Sequence, residues 1–224
     1  MSFVVAIDGP AGSGKGTITK LVGEKVGLLN IDTGAMYRCV TLYMIENDIK
    51  PDDKDSINKM LENIDIRMEV KNNESRFFLN GRDVSKEIRE KAVNERVSPY
   101  SQIPEIRKAM AVLERKSGEN ADIIMEGRDI GTSIFPDADV KIYLDATPEE
   151  RARRRLKQNL EKGLVMSYED VLKAIIQRDN NDKNRTVDPL RQADDATYLD
   201  TTELSIDEVV EKVIEIINKK KANS

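Results

Sequence analysis

The sequence predicts an α/β fold: a mainly parallel sheet of five strands flanked by helices, with a small antiparallel insert. Three observations carry this expectation. Short apolar runs of strand length alternate with stretches of helical periodicity, a glycine-rich loop joins the first run to the first helical stretch, and one internal segment switches to a period of two.

Phe3-Val4-Val5-Ala6-Ile7 leads into Asp8 without a polar interruption, as a strand buried on both faces requires. After the loop, Ile18, Leu21, Val22 and Val26 keep helical spacing, so strand, loop and helix open a βαβ unit. Residues 28–31, 122–125, 140–144 and 196–199 supply four more strand candidates, separated by helical patterns. In the last helix Ser205 and Glu208 form a capping box, and Ile206, Val209, Val210, Val213, Ile214 and Ile217 share one face. Between the second and third parallel strands, Ile64, Ile66, Met68 and Val70 alternate with charged residues. Asn72-Asn73 is read as a turn, Phe77-Phe78-Leu79 as a strand, and Asn80-Gly81 as a hairpin signal. With no repeat, low-complexity segment or flexible linker, the insert reads as a subdomain and not as a separate domain.

Composition bounds the function from outside. A net charge of −5 and a pI near 5.1 argue against a general nucleic-acid or membrane surface as partner. Aromatics make up only 4%, so the core must be aliphatic and base-stacking platforms are scarce. Cys39 is the sole cysteine and histidine is absent, which excludes an internal disulfide, a multi-cysteine metal site and imidazole acid–base chemistry. The first apolar run is too short for a signal peptide and nothing approaches a membrane span, so a cytoplasmic, reducing setting is expected. No dimer seam is evident, and the expectation is a monomer.

The chemistry sits in Gly9-Pro10-Ala11-Gly12-Ser13-Gly14-Lys15-Gly16-Thr17. Gly9, Gly14 and Lys15 match the phosphate-loop template G-x-x-x-x-G-K-[ST]. Glycines let consecutive backbone N–H groups turn inward around a phosphate, the following helix points its positive end there, and the lysine adds a mobile cation. The last position departs from the template: Gly16 stands where Ser or Thr would hold Mg²⁺, and Thr17 comes next. A strand before and a helix after are the context the motif needs. The guanine-reading N-K-x-D and the switch motif D-x-x-G do not occur, and a large ATPase would have more chain to couple. A small ATP-dependent kinase is the class that remains.

Asp32-Thr33-Gly34-Ala35-Met36-Tyr37-Arg38 follows the second strand, at the carboxyl edge where doubly wound sheets bind ligands. Together with the loop, with Glu126-Gly127-Arg128-Asp129-Ile130-Gly131-Thr132, with Phe135-Pro136-Asp137-Ala138 and with the 178–185 string Arg-Asp-Asn-Asn-Asp-Lys-Asn-Arg, it resembles the bacterial cytidylate kinases over nearly the whole chain. The Gly-Lys-Gly-Thr form of the loop is usual among nucleoside monophosphate kinases. The resemblance implies phosphoryl transfer from ATP to CMP or dCMP, with Mg²⁺ as cofactor and no nucleic-acid or membrane partner. It implies a single domain with its core at about 1–35, 105–150 and 168–224, a monophosphate-binding subdomain carrying the insert at about 36–104, and a helical lid at about 151–167.

By resemblance, Thr33, Ser98, Arg128, Asp129, Arg178 and Asp182 surround cytosine and ribose, and Arg38, Arg107 and Arg185 lie on the phosphate side. Lys15, Arg128 and Arg185 are the expected catalytic charges, and Arg154 the lid arginine that joins residues 9–17 on ATP. Arg128 beside Asp129 has a chemical logic. Cytosine offers O2 and N3 acceptors next to an N4 donor, whereas uracil would turn an oxygen toward the carboxylate. Taken without the resemblance, Arg151, Arg153, Arg154 and Arg155 read mostly as a solvated basic face, and Met36 and Tyr37 as packing residues. Thr17 and Glu126 are the metal candidates, directly or through water, with Glu126 preferred to Asp145. Rival readings are a kinase of the same fold acting on UMP, AMP or shikimate, a non-catalytic nucleotide-binding module, and a nucleic-acid 5′-end kinase.

Overall fold

The computed structural model describes residues 2–71, 74–161 and 163–222. Its contacts divide the chain into two compact units, residues 1–31 with 118–224, and residues 32–117.

The first unit is built on a five-stranded sheet, with β1 (Val4–Asp8), β2 (Leu29–Asp32), β6 (Ile123–Gly127), β7 (Val140–Asp145) and β8 (Thr197–Asp200) in the order β2-β6-β1-β7-β8. β1 lies at the centre and pairs in parallel with β6 and β7, and β7 pairs in parallel with β8. All five residues of β1 are buried, as the uninterrupted apolar run demands. Two helices, α1 (Lys15–Val26) and α8 (Ile206–Ala222), lay apolar stripes on the sheet. Ile18 and Val22 of α1 and Val209, Val210, Val213 and Ile217 of α8 share a core with Val5, Ile7, Ile124, Ile142 and Leu144. The expected capping box starts α8: Ser205 Oγ accepts from Glu208 N–H at 3.3 Å, and Glu208 Oε2 accepts from Ser205 N–H at 2.8 Å. Ile206 departs from expectation. As the first helical residue it stands 54% exposed, and the buried stripe begins one turn later. Two further helices, α6 (Pro148–Glu161) and α7 (Tyr168–Asn184), pack on each other through Ala152, Val171 and Ile175.

The second unit holds α2 (Thr33–Glu46), α3 (Lys54–Asn63), a three-stranded sheet, α4 (Lys91–Tyr100) and α5 (Pro104–Ser117). Its strands β3 (Ile66–Lys71), β4 (Glu74–Leu79) and β5 (Arg82–Asp83) pair antiparallel, as the period of two predicts. Ile66 and Leu79 meet across the ladder. The β4–β5 turn is Asn80-Gly81, both with positive φ, the condition that makes Asn-Gly a hairpin signal. The expected Asn72-Asn73 turn lies outside the described residues. Helix α2 packs on α4 and β4, and it buries Met36, which is thus a packing residue as expected. Cys39 is also buried there, and burial pushes its thiol up to about 12, so it stays protonated and inert at neutral pH. Among the described residues no helix is long and apolar enough to cross a membrane.

Stability should follow this burial. Ile217→Ala, at a fully buried site, is expected to cost about 2–5 kcal/mol, whereas Ile206→Ala should stay within about 0.5 kcal/mol; urea unfolding of the two variants checks it.

Candidate active site

β1, β6 and β7 deliver their C-terminal ends side by side, and each ends in a loop that carries charge. After β1 comes the glycine-rich loop. Gly9 has φ +151, and a Cβ there would lie 2.0 Å from the Leu144 carbonyl oxygen at the end of β7, so only glycine lets the loop leave the sheet this closely. The loop ends in helix α1, whose N-cap Gly14 is left-handed and offers no side-chain cap; Thr17 N–H turns back to the Gly14 carbonyl at 3.1 Å, and a helix start without a side-chain cap suits an anion. Lys15 is buried and arches back over the loop, donating from Nζ to the Pro10 carbonyl at 2.8 Å and to Ser13 Oγ at 3.3 Å. Burial, with Arg128 adding to it, pulls its ammonium down to about 7, while Glu126 and Asp8 work the other way. The lysine is therefore held without full charge compensation, ready for a phosphate.

Gly16, the one departure from the template, has a structural reason. A Cβ at that position would lie 2.6 Å from Glu126 Oε1, so the glycine makes room for the carboxylate of the last residue but one of β6. Glu126 thereby sits against the first turn of α1, while Thr17 is exposed one residue further on. A carboxylate and a hydroxyl are hard oxygen donors, suited to Mg²⁺ that keeps most of its water and takes phosphate oxygens. Among the described residues no group of three or more acidic, histidine or cysteine side chains forms a metal cage. Asp145, the lesser candidate, is occupied at the start of the next segment, where its carboxylate accepts from Ala146 N–H at 2.8 Å.

Beyond β6, the Gly127-Arg128-Asp129 stretch meets helix α7. Arg178 and Asp182 lie four residues apart on one face of α7, and Arg185 follows just past its end. Arg128 Nε donates to Asp182 Oδ2 at 2.8 Å, and Arg185 Nη2 donates to Asp129 Oδ1 at 2.8 Å. Arg185 Nε also donates to the Asp188 carbonyl at 2.6 Å. These are two crossed ion pairs between one turn and one helix end, with Asp129, Asp182 and Arg185 buried. Burial would raise the Asp182 carboxyl, but Arg128, Arg178 and Arg185 together hold it below the usual carboxylate range. The expected Lys15, Arg128, Asp129, Arg178, Asp182 and Arg185 are thus brought together within the first unit.

The basic run of α6 departs from expectation. Arg151 is no part of a solvated face. It is 3% exposed, donates to the Ala146 carbonyl at 2.8 Å and to the Ala11 carbonyl of the loop at 3.0 Å, and pairs with Asp179 at 2.7 Å. A helical run of charges hides the one member whose neighbours come from distant segments. Arg154 pairs with Glu150 and donates to the Thr201 hydroxyl at 3.1 Å and carbonyl at 2.5 Å, while Arg153 is exposed.

The second unit carries the other expected residues. Asp32 caps α2 by accepting from Ala35 N–H at 2.8 Å, and its second oxygen takes Arg38 Nη2 at 2.9 Å, so the cap also aims the arginine. Thr33, the first residue of α2, is buried beside it. Arg107 on α5 is 2% exposed, lies over the Tyr37 ring at 5.7 Å, and donates to the Ser101 carbonyl at 3.4 Å. Tyr37 therefore does more than pack: it supports a cation. Ser98 Oγ on α4 is buried with no hydrogen-bond partner among the described residues, a donor and acceptor open to a ligand.

Sequence reasoning missed Arg151, Asp179 and Asp8. The Asp8 carboxylate accepts from Ile130 N–H at 2.8 Å and Gly131 N–H at 2.7 Å, contacts across more than 120 residues that no local pattern announces. The loop geometry gives a test independent of activity: Gly9→Ala is expected to lower stability by about 3 kcal/mol or more, read from chemical unfolding.

The family model for cytidylate kinase matches residues 5–219. The chain is 48% identical to a cytidylate kinase of Fusobacterium nucleatum over 98% of this chain and 99% of that one. It is 44% identical to a cytidylate kinase of Carboxydothermus hydrogenoformans over 96% and 97% of the two chains. Among solved structures it is similar to an uncharacterized protein from Eubacterium ventriosum, with a TM-score of 0.53 at 11% identity over 97% of this chain and 99% of that one. It is similar also to a gluconokinase from Sinorhizobium meliloti, with a TM-score of 0.50 at 12% identity over 99% and 94%. At such identities these two show the fold alone. A family match over almost the full length, on a chain whose phosphate loop and Gly127-Arg128-Asp129 turn stand at adjoining strand ends, means that the protein belongs to the cytidylate kinase family.

Proposed function

We propose that this enzyme transfers the γ-phosphoryl group of ATP to CMP and dCMP, giving ADP and CDP or dCDP. The observation that carries the reading is the convergence, within one unit, of a buried lysine on a phosphate loop with two Arg–Asp pairs on the Arg128 turn and α7. ATP is assigned to residues 9–17, with Arg154 from the lid at about 151–167. CMP is assigned to Thr33, Arg38, Ser98 and Arg107 in the second unit, and to Arg128, Asp129, Arg178, Asp182 and Arg185 in the first. The exposed Leu160 near the end of α6 and Leu164, Val165 and Met166 beyond it suit a segment that moves. The cytoplasm and a monomeric state belong to the same proposal.

In the reaction a phosphate oxygen of CMP attacks the γ-phosphorus in line. A new P–O bond forms, the β–γ bridging P–O bond breaks, and ADP leaves with the electron pair. The attacking oxygen is already anionic, so no strong base is needed, in keeping with a chain without histidine. Catalysis falls to positioning and positive charge, from Lys15, Arg128 and Arg185. Glu126 and Thr17 would hold Mg²⁺, directly or through water, and the ion would supply positive charge to offset that of the phosphates. Lid closure keeps out water, which would otherwise accept the phosphoryl group.

A coupled assay of ADP release with a panel of monophosphates is expected to show CMP and dCMP well ahead of UMP and AMP. No release above background with any of them would overturn the reading. Lys15→Ala should lower kcat by about 100-fold to 1,000-fold or more with the fold intact, checked by the same assay and by thermal melting. Because the free Lys15 ammonium titrates near 7, it is largely neutral at pH 8, and an incoming polyphosphate favours its charged form. ATP binding at pH 8 should therefore take up protons, uptake that vanishes below pH 6 and in Lys15→Ala. Calorimetry in two buffers of different ionisation heat measures it.

A further inference from the structure

Asp8 is the last residue of β1 and stands immediately before Gly9, the root of the phosphate loop. Its side chain reaches into the turn after β6, and its charge also acts on Lys15 of the loop. Oδ1 takes the Ile130 N–H at 2.8 Å and Oδ2 the Gly131 N–H at 2.7 Å, and the residue is 5% exposed. The segment so held, Ile130–Ile134, is a π-helical turn, a wide form rare in proteins and frequent at functional sites. On its carbonyl side the turn is closed by backbone: Asp129 accepts from Ser133 N–H at 2.9 Å and Ile134 N–H at 3.2 Å, and Ile130 from Phe135 N–H at 2.7 Å. On its amide side the two leading N–H groups are held by Asp8. Gly131 belongs to the same device, since a Cβ there would stand 3.2 Å from the Lys141 side chain and 3.4 Å from Asp8 Oδ2.

We propose that Asp8 is a positioning residue for base selection: by gripping the two peptide N–H groups that follow Asp129, its carboxylate fixes the orientation in which Arg128 and Asp129 meet the pyrimidine. The proposal rests on the reading above that those two residues face the cytosine. Asp129 is then constrained from two directions. Arg185 holds its carboxylate at 2.8 Å, and Asp8 holds the peptide that leaves it. Neither grip alone fixes both the side chain and the backbone, and discrimination between an amino group and an oxygen requires both.

Chemistry explains why this position is a carboxylate. Two convergent N–H donors need two acceptors and no donor, which a carboxylate supplies and an asparagine, serine or glutamine does not. An amide would turn its own NH₂ toward one of the two peptide N–H groups. Holding a carboxylate here works against solvation: burial pushes the Asp8 carboxyl up to about 6, and Asp129 adds to the rise, against the pull of the Gly131 and Ile130 N–H groups and of Lys15. By the same token a neutral isostere relieves the fold of that charge, and Asp8→Asn is expected to fold.

The test is steady-state kinetics of Asp8→Asn with CMP, UMP and ATP. The ratio of kcat/KM for CMP over UMP should fall about tenfold, carried by KM for CMP, while KM for ATP stays within about threefold. CMP and UMP carry the same phosphate, so effects on phosphate binding cancel in the ratio. A folded Asp8→Asn with an unchanged ratio would overturn the proposal, and so would an equal rise in both KM values, which would assign Asp8 to the loop as a whole. Asp8→Ser, smaller and also uncharged, gives the same measurement if the asparagine variant does not fold. Failure of both to fold would mean that the clamp serves stability, and would equally overturn it. Asp129→Ala separates the two levels of the argument: a changed ratio there with none in Asp8→Asn removes Asp8 only. No change in Asp129→Ala removes the base reading itself.

Discussion

Burial of charge at the carboxyl ends of β1, β6 and β7 is the constraint that the rest of the first unit obeys. Asp8, Lys15, Asp129, Arg151, Asp179, Asp182 and Arg185 are all buried, in a chain whose outside is otherwise well solvated. Removing so many ions from water is costly, and attraction between partners offsets it only where the geometry is good. The observed solution is a set of short, directed contacts. Arg151 is shared among Ala146, Ala11 and Asp179, Arg128 and Arg185 each take a carboxylate, and Asp8 takes two peptide N–H groups. Lys15 is the exception, held by a carbonyl and a hydroxyl with its ammonium pulled down by burial. In the proposed reaction an incoming phosphate supplies the negative charge that this buried ammonium lacks.

The aliphatic core makes this possible. Val5, Ile7, Ile124, Ile142 and Leu144 are buried beneath α1 and α8, which holds three strand ends level. That rigidity permits approaches such as Gly9 to the Leu144 carbonyl and Gly16 to Glu126, where a single added carbon would collide. Stability is thus supplied by residues remote from the chemistry, and precision by glycines within it.

What was legible in the sequence is what neighbouring residues encode. The phosphate loop is consecutive, the parallel strands are unbroken apolar runs, and the insert shows its period of two and its Asn80-Gly81 turn directly. What was not legible depends on contacts between distant segments. Arg151 belongs to a charged helical run and looks solvated until Ala11, 140 residues away, is found against it. Asp8 reads as the end of a strand because its partners lie 122 and 123 residues on. Gly16 looked like a flaw in a motif, and Glu126 explains it only in three dimensions. Ile206 failed for the opposite reason: helical spacing placed it on the apolar face, but the helix begins before the sheet covers it.

The central claim is that these buried charges are kept for the substrate and not for the fold. The double substitution of Asp129→Leu with Arg185→Met tests it most directly, since it removes both members of a pair only 8% and 3% exposed, and of the Arg185 contacts beyond the pair only the single hydrogen bond to the Asp188 carbonyl goes with it. Buried pairs replaced by apolar groups of similar volume are often neutral or stabilising by about 1–4 kcal/mol. Chemical unfolding should therefore find the double variant at least as stable as the parent, while phosphorylation of CMP falls to background. A variant that loses several kcal/mol of stability yet still phosphorylates CMP would contradict the account.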